Sequence, residues 1–227
     1  MAETVMLPMR DGVKLHTDYD LPLFHTPGSR IPAVLERSPY GANAEELIAD
    51  VFGEALGYVS VRQDMRGTKQ SEGSFAIWHD SRDDAFDTMD WIVAQPWSNG
   101  IVFTTGASAD GIDELAQISG PHPALRGQLN IFATSDGWGT FYPGGAYREA
   151  LIDGWLRSTV PTQYKACDQL VRDNEQPDNK SGWWNTVNGS AYFQNVRHCA
   201  RTAPGSCIGA FLASTPAPRC SPHSLPR

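Results

Sequence analysis

Features that would indicate a membrane protein, a metal site or a disulfide-rich fold are scarce or missing in this chain of 227 residues. No apolar run approaches the roughly 18 residues of a membrane-spanning helix, and residues 1–11 lack the basic and apolar regions of a signal peptide. No two of the four cysteines have Cys-x-x-Cys spacing. We therefore expect no membrane partner, no metal and no cofactor, with a cytoplasmic location as the default. The sequence does not indicate an oligomeric state.

Negative charge is absent from the last 49 residues. All 26 Asp and Glu lie at or before Asp178, together with 13 of the 18 Lys and Arg. The first 178 residues thus have a net charge of −13 and residues 179–227 a net charge of +5, which together give the −8 of the chain. An acidic body without a basic stripe argues against nucleic acid as a partner.

Strand-like and helix-like segments alternate through residues 1–135. Residues 5–18 indicate a hairpin with its turn at Arg10-Asp11-Gly12. Strands are predicted at 31–37, 58–62, 101–106 and 129–134, helices at 42–56, 80–95 and 109–118, and a turn at Asn99-Gly100. This alternation is typical of βαβ units, so it predicts an α/β fold with a mostly parallel sheet.

The pattern changes after Ser135. Residues 137–147 are rich in glycine and aromatics, and residues 148–164 are predicted to be helical with a break at Pro161. The last 25 residues hold five prolines and show no periodicity, which is typical of a disordered segment. We divide the chain into a core at 1–135, an inserted helical cap at 136–196 and a tail at 197–227.

One short motif has the pattern of a turn that holds a catalytic serine. Gly106-Ala-Ser-Ala-Asp-Gly111 follows an apolar strand and opens a helix. A serine in such a tight strand-to-helix turn is aimed outward, and the backbone N–H of the next residue lies where an oxyanion would form. The alternative is that Ser108 only caps the helix.

Further motifs occur in one order along the chain: 5–19, Glu36-Arg-Ser-Pro-Tyr-Gly41, Gln63-Asp-Met-Arg-Gly-Thr68 with Ser71-Glu-Gly73, 87–92 with 95–100, 106–111, and Gly144-Gly-Ala-Tyr-Arg148. Together they resemble the Xaa-Pro dipeptidyl-peptidase-like serine hydrolases, the group that includes cocaine esterase and the α-amino acid ester hydrolases. The resemblance covers about residues 3–195. It implies an α/β-hydrolase core, here incomplete, with the start of a helical cap.

The resemblance also implies roles for individual residues. Ser108 matches the catalytic nucleophile, and Tyr40 matches a tyrosine whose hydroxyl completes the oxyanion hole beside the backbone N–H of Ala109. Arg66 and Gly67 match a signature that we interpret as structural, with Arg66 paired to a nearby carboxylate such as Asp64 or Glu72. Trp91, Trp97 and Trp138 are interpreted as packing residues. The implied substrates are small-molecule esters, amides or peptides, cleaved through an acyl-enzyme on Ser108.

Two departures from the family pattern stand out. Position 109 is usually aromatic in the family, and Ala109 leaves one wall of the acyl pocket smaller. Gly139-Thr140 stands where relatives acting on α-amino acid esters carry an acidic residue.

The second departure is larger, because the match ends at about Val196. The family's catalytic Asp and His, and its C-terminal jelly-roll domain, find no counterpart. The Arg-, Pro- and Cys-rich composition that follows resembles a GC-rich gene read out of frame, so we expect 197–227 to be an out-of-frame or disordered tail.

The six histidines offer no obvious replacement for the base. His198 and His223 lie in the tail, whereas His16, His25, His79 and His122 are predicted to be surface or loop residues. Three hypotheses follow: a serine hydrolase, a truncated and inactive fragment of one that lacks the triad Asp and His, or an α/β binding protein in which Ser108 is only a cap.

Overall fold

The computed structural model describes residues 3–42, 48–176 and 182–187, together with 201–203 and 206–207. Within these residues no helix is long and apolar enough to cross a bilayer. The tail predicted at 197–227 lies outside the described residues apart from two short strands, β7 (Arg201–Ala203) and β8 (Ser206–Cys207), which pair antiparallel.

A mixed sheet of six strands forms the centre of the described fold. Its strands are β1 (Glu3–Pro8), β2 (Lys14–Asp20), β3 (Ile31–Ser38), β4 (Val59–Asp64), β5 (Ser98–Ala107) and β6 (Leu125–Ile131). Their order is β1-β2-β4-β3-β5-β6. The first two form the predicted hairpin, β2 runs antiparallel to β4, and β4, β3, β5 and β6 are parallel to one another. The predicted α/β fold with a mostly parallel sheet is confirmed.

The helices divide into those that connect strands and those that follow the sheet. The connecting helices are α1 (Ile48–Leu56), α2 (Ser81–Ala94) and α3 (Ala109–Gln117). After β6 come α4 (Gly137–Phe141), a 3₁₀ turn (Pro143–Gly145), α5 (Glu149–Thr159), α6 (Tyr164–Asp173) and α7 (Trp183–Val187). The part of the predicted helix at 43–47 lies outside the described residues.

The helices after β6 share one apolar core with α3 and with the loop that follows β4. Buried members from the three parts include Trp78 of the loop, Leu115 of α3, and Leu156 and Trp184 of the later helices. A second cluster joins the parallel strands to α2 through residues such as Leu35, Val61, Met89 and Ile92. The later helices therefore share a core with the helix that begins directly after Ser108.

Two strand boundaries differ from the sequence prediction. The predicted turn at Asn99-Gly100 lies inside β5, where Gly100 has a φ of +79° and the register with β3 shifts. Glycine tolerates that conformation, so the chain passes through an irregularity in the strand rather than a turn.

Strand β6 begins and ends earlier than the predicted strand at 129–134. The prediction missed its start at Leu125 because Gln128, which is 2% exposed, is a polar residue at a buried position that an apolar pattern does not reveal. The strand ends at Ile131 because Phe132 has a φ of +51°, outside the extended region.

Candidate active site

Ser108 lies in the sharp turn between β5 and α3. Its φ and ψ are +57° and −117°, a strained conformation for a residue other than glycine. Its N–H donates to the carbonyl of Ile131 at 2.8 Å, and its carbonyl accepts from the N–H of Ile112 at 3.0 Å. The residue is exposed, and its hydroxyl makes no capping hydrogen bond to α3. The structure thus gives no support to the alternative in which Ser108 only caps the helix.

Two glycines make this turn possible. A Cβ at Gly106 would lie 2.7 Å from the carbonyl carbon of Asp110, and one at Gly111 would lie 2.8 Å from the Cβ of Ala133. Real Cβ atoms do not approach other heavy atoms so closely, so only glycine fits at either position without a shift of the backbone. The first turn of α3 therefore lies against the ends of both β5 and β6.

The two residues expected to form an oxyanion hole, Ala109 and Tyr40, come from different parts of the fold. Ala109 is the first residue of α3, so its N–H belongs to the first turn and has no partner within the helix. Tyr40 follows β3, and its backbone N–H donates to the hydroxyl of Ser38 at 3.1 Å. Its side chain is 40% exposed, not the buried ring of a purely structural residue.

A chain of indole contacts joins Tyr40 to the start of α3. Trp155 of α5 donates from Nε1 to the Tyr40 hydroxyl oxygen at 3.0 Å. Its ring stacks on Trp78, with 5.4 Å between centroids and 16° between planes. Trp78 in turn donates from Nε1 to the carbonyl of Ala109 at 3.0 Å. Tyr40 and Ala109 are thus held by two adjacent rings.

Electrostatics keep the phenol of Tyr40 protonated. Burial raises the pKa of Tyr40, Asp110 raises it further, and only the hydrogen bond from Trp155 lowers it. A phenol with a raised pKa retains its proton at neutral pH and remains a hydrogen-bond donor.

Carboxyl groups lie buried behind the turn, on α3. Asp110 is 6% and Glu114 1% exposed, and no ion pair joins either of them to a basic side chain within the described ranges. Burial is the main cause that raises the pKa of Asp110 to about 8, with nearby Glu36 adding to it. Burial and Glu36 also hold the pKa of Glu114 well above its usual range. These buried carboxyl groups were not predicted from the sequence, although Asp110, two positions after Ser108, was the signal that could have indicated them.

The Arg66-Gly67 signature is structural in its contacts, but the predicted partners of Arg66 are wrong. Arg66 pairs with Asp84 of α2 at 2.6 Å and with Asp11 of the first hairpin at 2.7 Å, not with Asp64 or Glu72. These contacts tie the loop after β4 to two other elements. Gly67 has a φ of +71°, and a Cβ there would lie 2.1 Å from the backbone nitrogen of Phe75.

The prediction that His16, His25, His79 and His122 are surface or loop residues is wrong for His16, which is buried in strand β2. His122 lies in the loop before β6, as predicted, but it is buried there. His16 and His122 are 5% and 7% exposed. His16 faces Asp64 at 3.3 Å, and His122 bonds to Asp90 at 2.9 Å. None of the hydrogen bonds of His16, His25, His79 and His122 that the described residues show involves Ser108. His198 and His223 lie outside the described residues.

The tryptophans serve mainly as packing residues. Trp97 is buried in the cluster between strands and α2, and Trp91 packs against it. Trp138 packs against the core formed by α3 and the later helices, and its Nε1 donates to the carbonyl of Glu175 at 2.7 Å. The two tryptophans that contact candidate site residues, Trp155 and Trp78, were not singled out from the sequence, where nothing distinguished them from the other five.

Comparison with known proteins confirms the resemblance. A family model described as X-Pro dipeptidyl-peptidase (S15 family) matches residues 11–198. The cocaine esterase of a Rhodococcus species is 35% identical, over 68% of this chain and 28% of the relative. A Mycobacterium bovis protein provisionally named a serine esterase is 30% identical, over 78% of this chain and 30% of the relative.

Solved structures agree with the sequence comparison. The structure of an α-amino acid ester hydrolase has a TM-score of 0.63 and 26% identity, over 85% of this chain and 40% of the other. The chain spans less than a third of the length of the curated relatives that it matches.

Proposed function

This chain belongs to the X-Pro dipeptidyl-peptidase (S15) family, and we propose that it carries the nucleophile and the oxyanion hole of an ester or amide hydrolase. The observation that carries the proposal is the turn at residue 108, which holds an exposed serine in a strained conformation without using its hydroxyl as a cap. Small-molecule esters, amides or short peptides are the substrates. Residues 1–135 serve as the core and 136–196 as a partial cap over it.

In the proposed reaction, the Ser108 oxygen attacks the carbonyl carbon of the substrate while a base takes the hydroxyl proton. The carbonyl oxygen becomes an oxyanion that accepts hydrogen bonds from the Ala109 N–H and the Tyr40 hydroxyl. As this tetrahedral species collapses, the base returns the proton to the leaving alcohol or amine, and the acyl group stays on Ser108 until water releases it as the carboxylic acid.

Trp155 has a supporting role in this arrangement. Its indole N–H occupies an acceptor site on the Tyr40 oxygen at 3.0 Å. The phenolic proton cannot point toward the indole donor, so it is left to point at another acceptor, which the developing oxyanion provides. Each such donor typically contributes about 3 kcal/mol to transition-state stabilisation.

A second candidate function is binding without turnover. None of the histidine hydrogen bonds shown by the described residues involves Ser108, and the family's catalytic Asp and His have no match in residues 1–196 of this chain. In that case the chain is an inactive fragment that keeps the oxyanion-binding half of the site.

Labelling with a fluorophosphonate probe tests the proposal, because such probes react with activated serines. We expect labelling of the native chain, none in Ser108→Ala, and a 10²- to 10³-fold slower rate in Tyr40→Phe. Tyr58→Phe is the matched control, because Tyr58 stacks on Phe103 away from the turn, and it should label at the native rate. A folded native chain that never labels at Ser108 contradicts the hydrolase and favours binding without turnover.

A further inference from the structure

Phe132 has two properties that folding alone does not explain. It has a φ of +51°, a conformation that costs a bulky residue of order 1 kcal/mol or more. Its side chain is also 87% exposed, and no aromatic pairing holds its ring within the described part of the chain. A large apolar group is therefore kept in water on a strained backbone.

Phe132 directly follows strand β6, and this position places it beside the Ser108 turn. Ala107 of β5 pairs in parallel register with Ile131 of β6, so Ser108 and Phe132 leave the sheet side by side at its carboxyl edge. The Ser108 N–H bonds to the Ile131 carbonyl at 2.8 Å on one side of Phe132. On the other side, Ala133 lies against Gly111 so closely that a Cβ on the glycine would be 2.8 Å away.

Residue 132 is consequently fixed between two contacts with the nucleophile turn. Both neighbouring residues are held by the turn itself, so the left-handed conformation at 132 is imposed by the same packing that bends the chain at 108. The position is rigidly attached to the turn, even though the ring itself is exposed.

We propose that Phe132 is a specificity-determining residue that supplies an apolar wall for the substrate group next to Ser108. The inference rests on the proposed function. Ala109, the residue after the nucleophile, is small and only 4% exposed, so it offers little apolar surface to a ligand. Phe132 provides that surface from the neighbouring strand, and the substrate class it fits is an ester or amide with an aromatic or bulky apolar acyl group.

Boronic acids test this inference without requiring turnover, because trigonal boron accepts a serine oxygen to form a tetrahedral adduct. We would titrate phenylboronic and methylboronic acid into the native chain, Ser108→Ala, Phe132→Ala and Phe24→Ala. Phe24 is the matched control: it is 96% exposed and lies in the loop before β3, at the opposite edge of the parallel strands.

We expect Phe132→Ala to lose about tenfold in affinity for phenylboronic acid, because the contact between the phenyl ring of the ligand and Phe132 is removed. The variant should keep its affinity for methylboronic acid, which has no ring to make that contact. Phe24→Ala should bind both acids as the native chain does. An unchanged ratio of the two affinities in Phe132→Ala overturns the inference. If the native chain binds methylboronic acid no better than Ser108→Ala, the proposed function itself fails.

Thermal unfolding supplies a second, independent readout. Phe132→Gly removes an exposed ring and allows the positive φ without strain, so we expect a melting temperature equal to or above the native value. A lower melting temperature would show that the ring supports the fold, and would overturn its assignment to substrate binding.

Discussion

Helix α3 buries carboxyl groups in two different surroundings. Asp113 lies in a network of opposite charges: Arg37 donates to both of its oxygens at 3.0 and 3.1 Å, and also faces Asp84, which pairs with Arg66. Asp110 and Glu114, on the same helix, have acidic neighbours instead. Burial raises the pKa of Asp113, but Arg37 opposes it, whereas Glu36 adds to the effect of burial on Asp110 and Glu114.

Helix α3 therefore combines two roles, since one buried carboxylate joins neighbouring elements and the others lie behind the Ser108 turn. Where cations are available, buried carboxylates connect α3 to β3 and α2, and the charges hold elements together. Behind the Ser108 turn, burial and Glu36 raise the pKa of both carboxyl groups, which disfavours a full negative charge where an oxyanion is proposed to form. A like charge at that place would oppose the developing charge.

The largest effect should come from removing the cation of the paired region. Arg37→Met leaves Asp113 and part of Asp84 without their buried partner, so we expect a loss of about 3–5 kcal/mol in the free energy of unfolding. Arg10→Met is the control, because Arg10 is half exposed and surface pairs contribute about 0–1 kcal/mol. Urea denaturation measures both. Similar losses in the two variants would show that the buried network contributes no more to the free energy of unfolding than a surface ion pair.

Amide substitution of the carboxyl groups tests the contrast on α3 directly. Asp113→Asn weakens a charge-assisted pair and should cost about 3 kcal/mol. Glu114→Gln removes a carboxyl group without a basic partner in the described ranges, so its free energy of unfolding at pH 8 should stay within about 1 kcal/mol of the native value. Equal costs would contradict the division of the helix into two surroundings.

The pH dependence of stability tests the raised pKa of Asp110. With a pKa of about 8 in the folded chain and about 3.9 unfolded, Asp110 keeps a proton that the unfolded chain loses between these values. Its contribution to stability is therefore complete below pH 4 and is lost as pH rises to 8, by up to about 1.4 kcal/mol per pH unit.

Asp110→Asn cannot titrate, so its stability should fall less steeply than that of the native chain in denaturation at pH 5, 6, 7 and 8. Asp173→Asn, on the exposed surface of α6, should follow the native curve. Parallel curves for the native chain and Asp110→Asn would show that Asp110 is already ionised in the fold.

The smallest expected effect concerns the strain at Ser108. Ser108→Gly permits the φ of +57° without penalty, so we expect a gain of about 1 kcal/mol in the free energy of unfolding. Ser158→Gly, in the regular helix α5, should instead lose a similar amount. A loss in Ser108→Gly would mean that the turn is not strained.

The regular parts of the fold were predictable from the sequence, because the spacing of apolar residues along a strand or helix follows the side that is buried. The hairpin, β3, β4, α2 and α3 follow apolar patterns that a single chain displays. The start of β6 does not, because Gln128 occupies a buried position through a hydrogen bond that forms only in the folded chain, from its side chain to the Glu114 carbonyl.

Within the candidate site, the residues on the turn were predictable and those brought by tertiary contacts were not. Ser108 and Ala109 are adjacent in sequence, and a glycine-framed motif marks them. Trp155 reaches Tyr40 from 115 residues away, and the partners of Arg66 come from α2 and the first hairpin. Such pairings depend on how elements pack, which spacing along the chain does not encode.

The stacked indoles of Trp78 and Trp155 also have an optical consequence. Two such rings, 5.4 Å apart and nearly parallel, have transition dipoles close enough to couple. Coupled dipoles that are skewed relative to one another give a pair of bands of opposite sign in circular dichroism. One ring belongs to the loop after β4 and the other to α5, so the couplet should vanish if α5 separates from the sheet. The circular dichroism of this pair therefore reports whether Trp155 is in place to contact the Tyr40 hydroxyl.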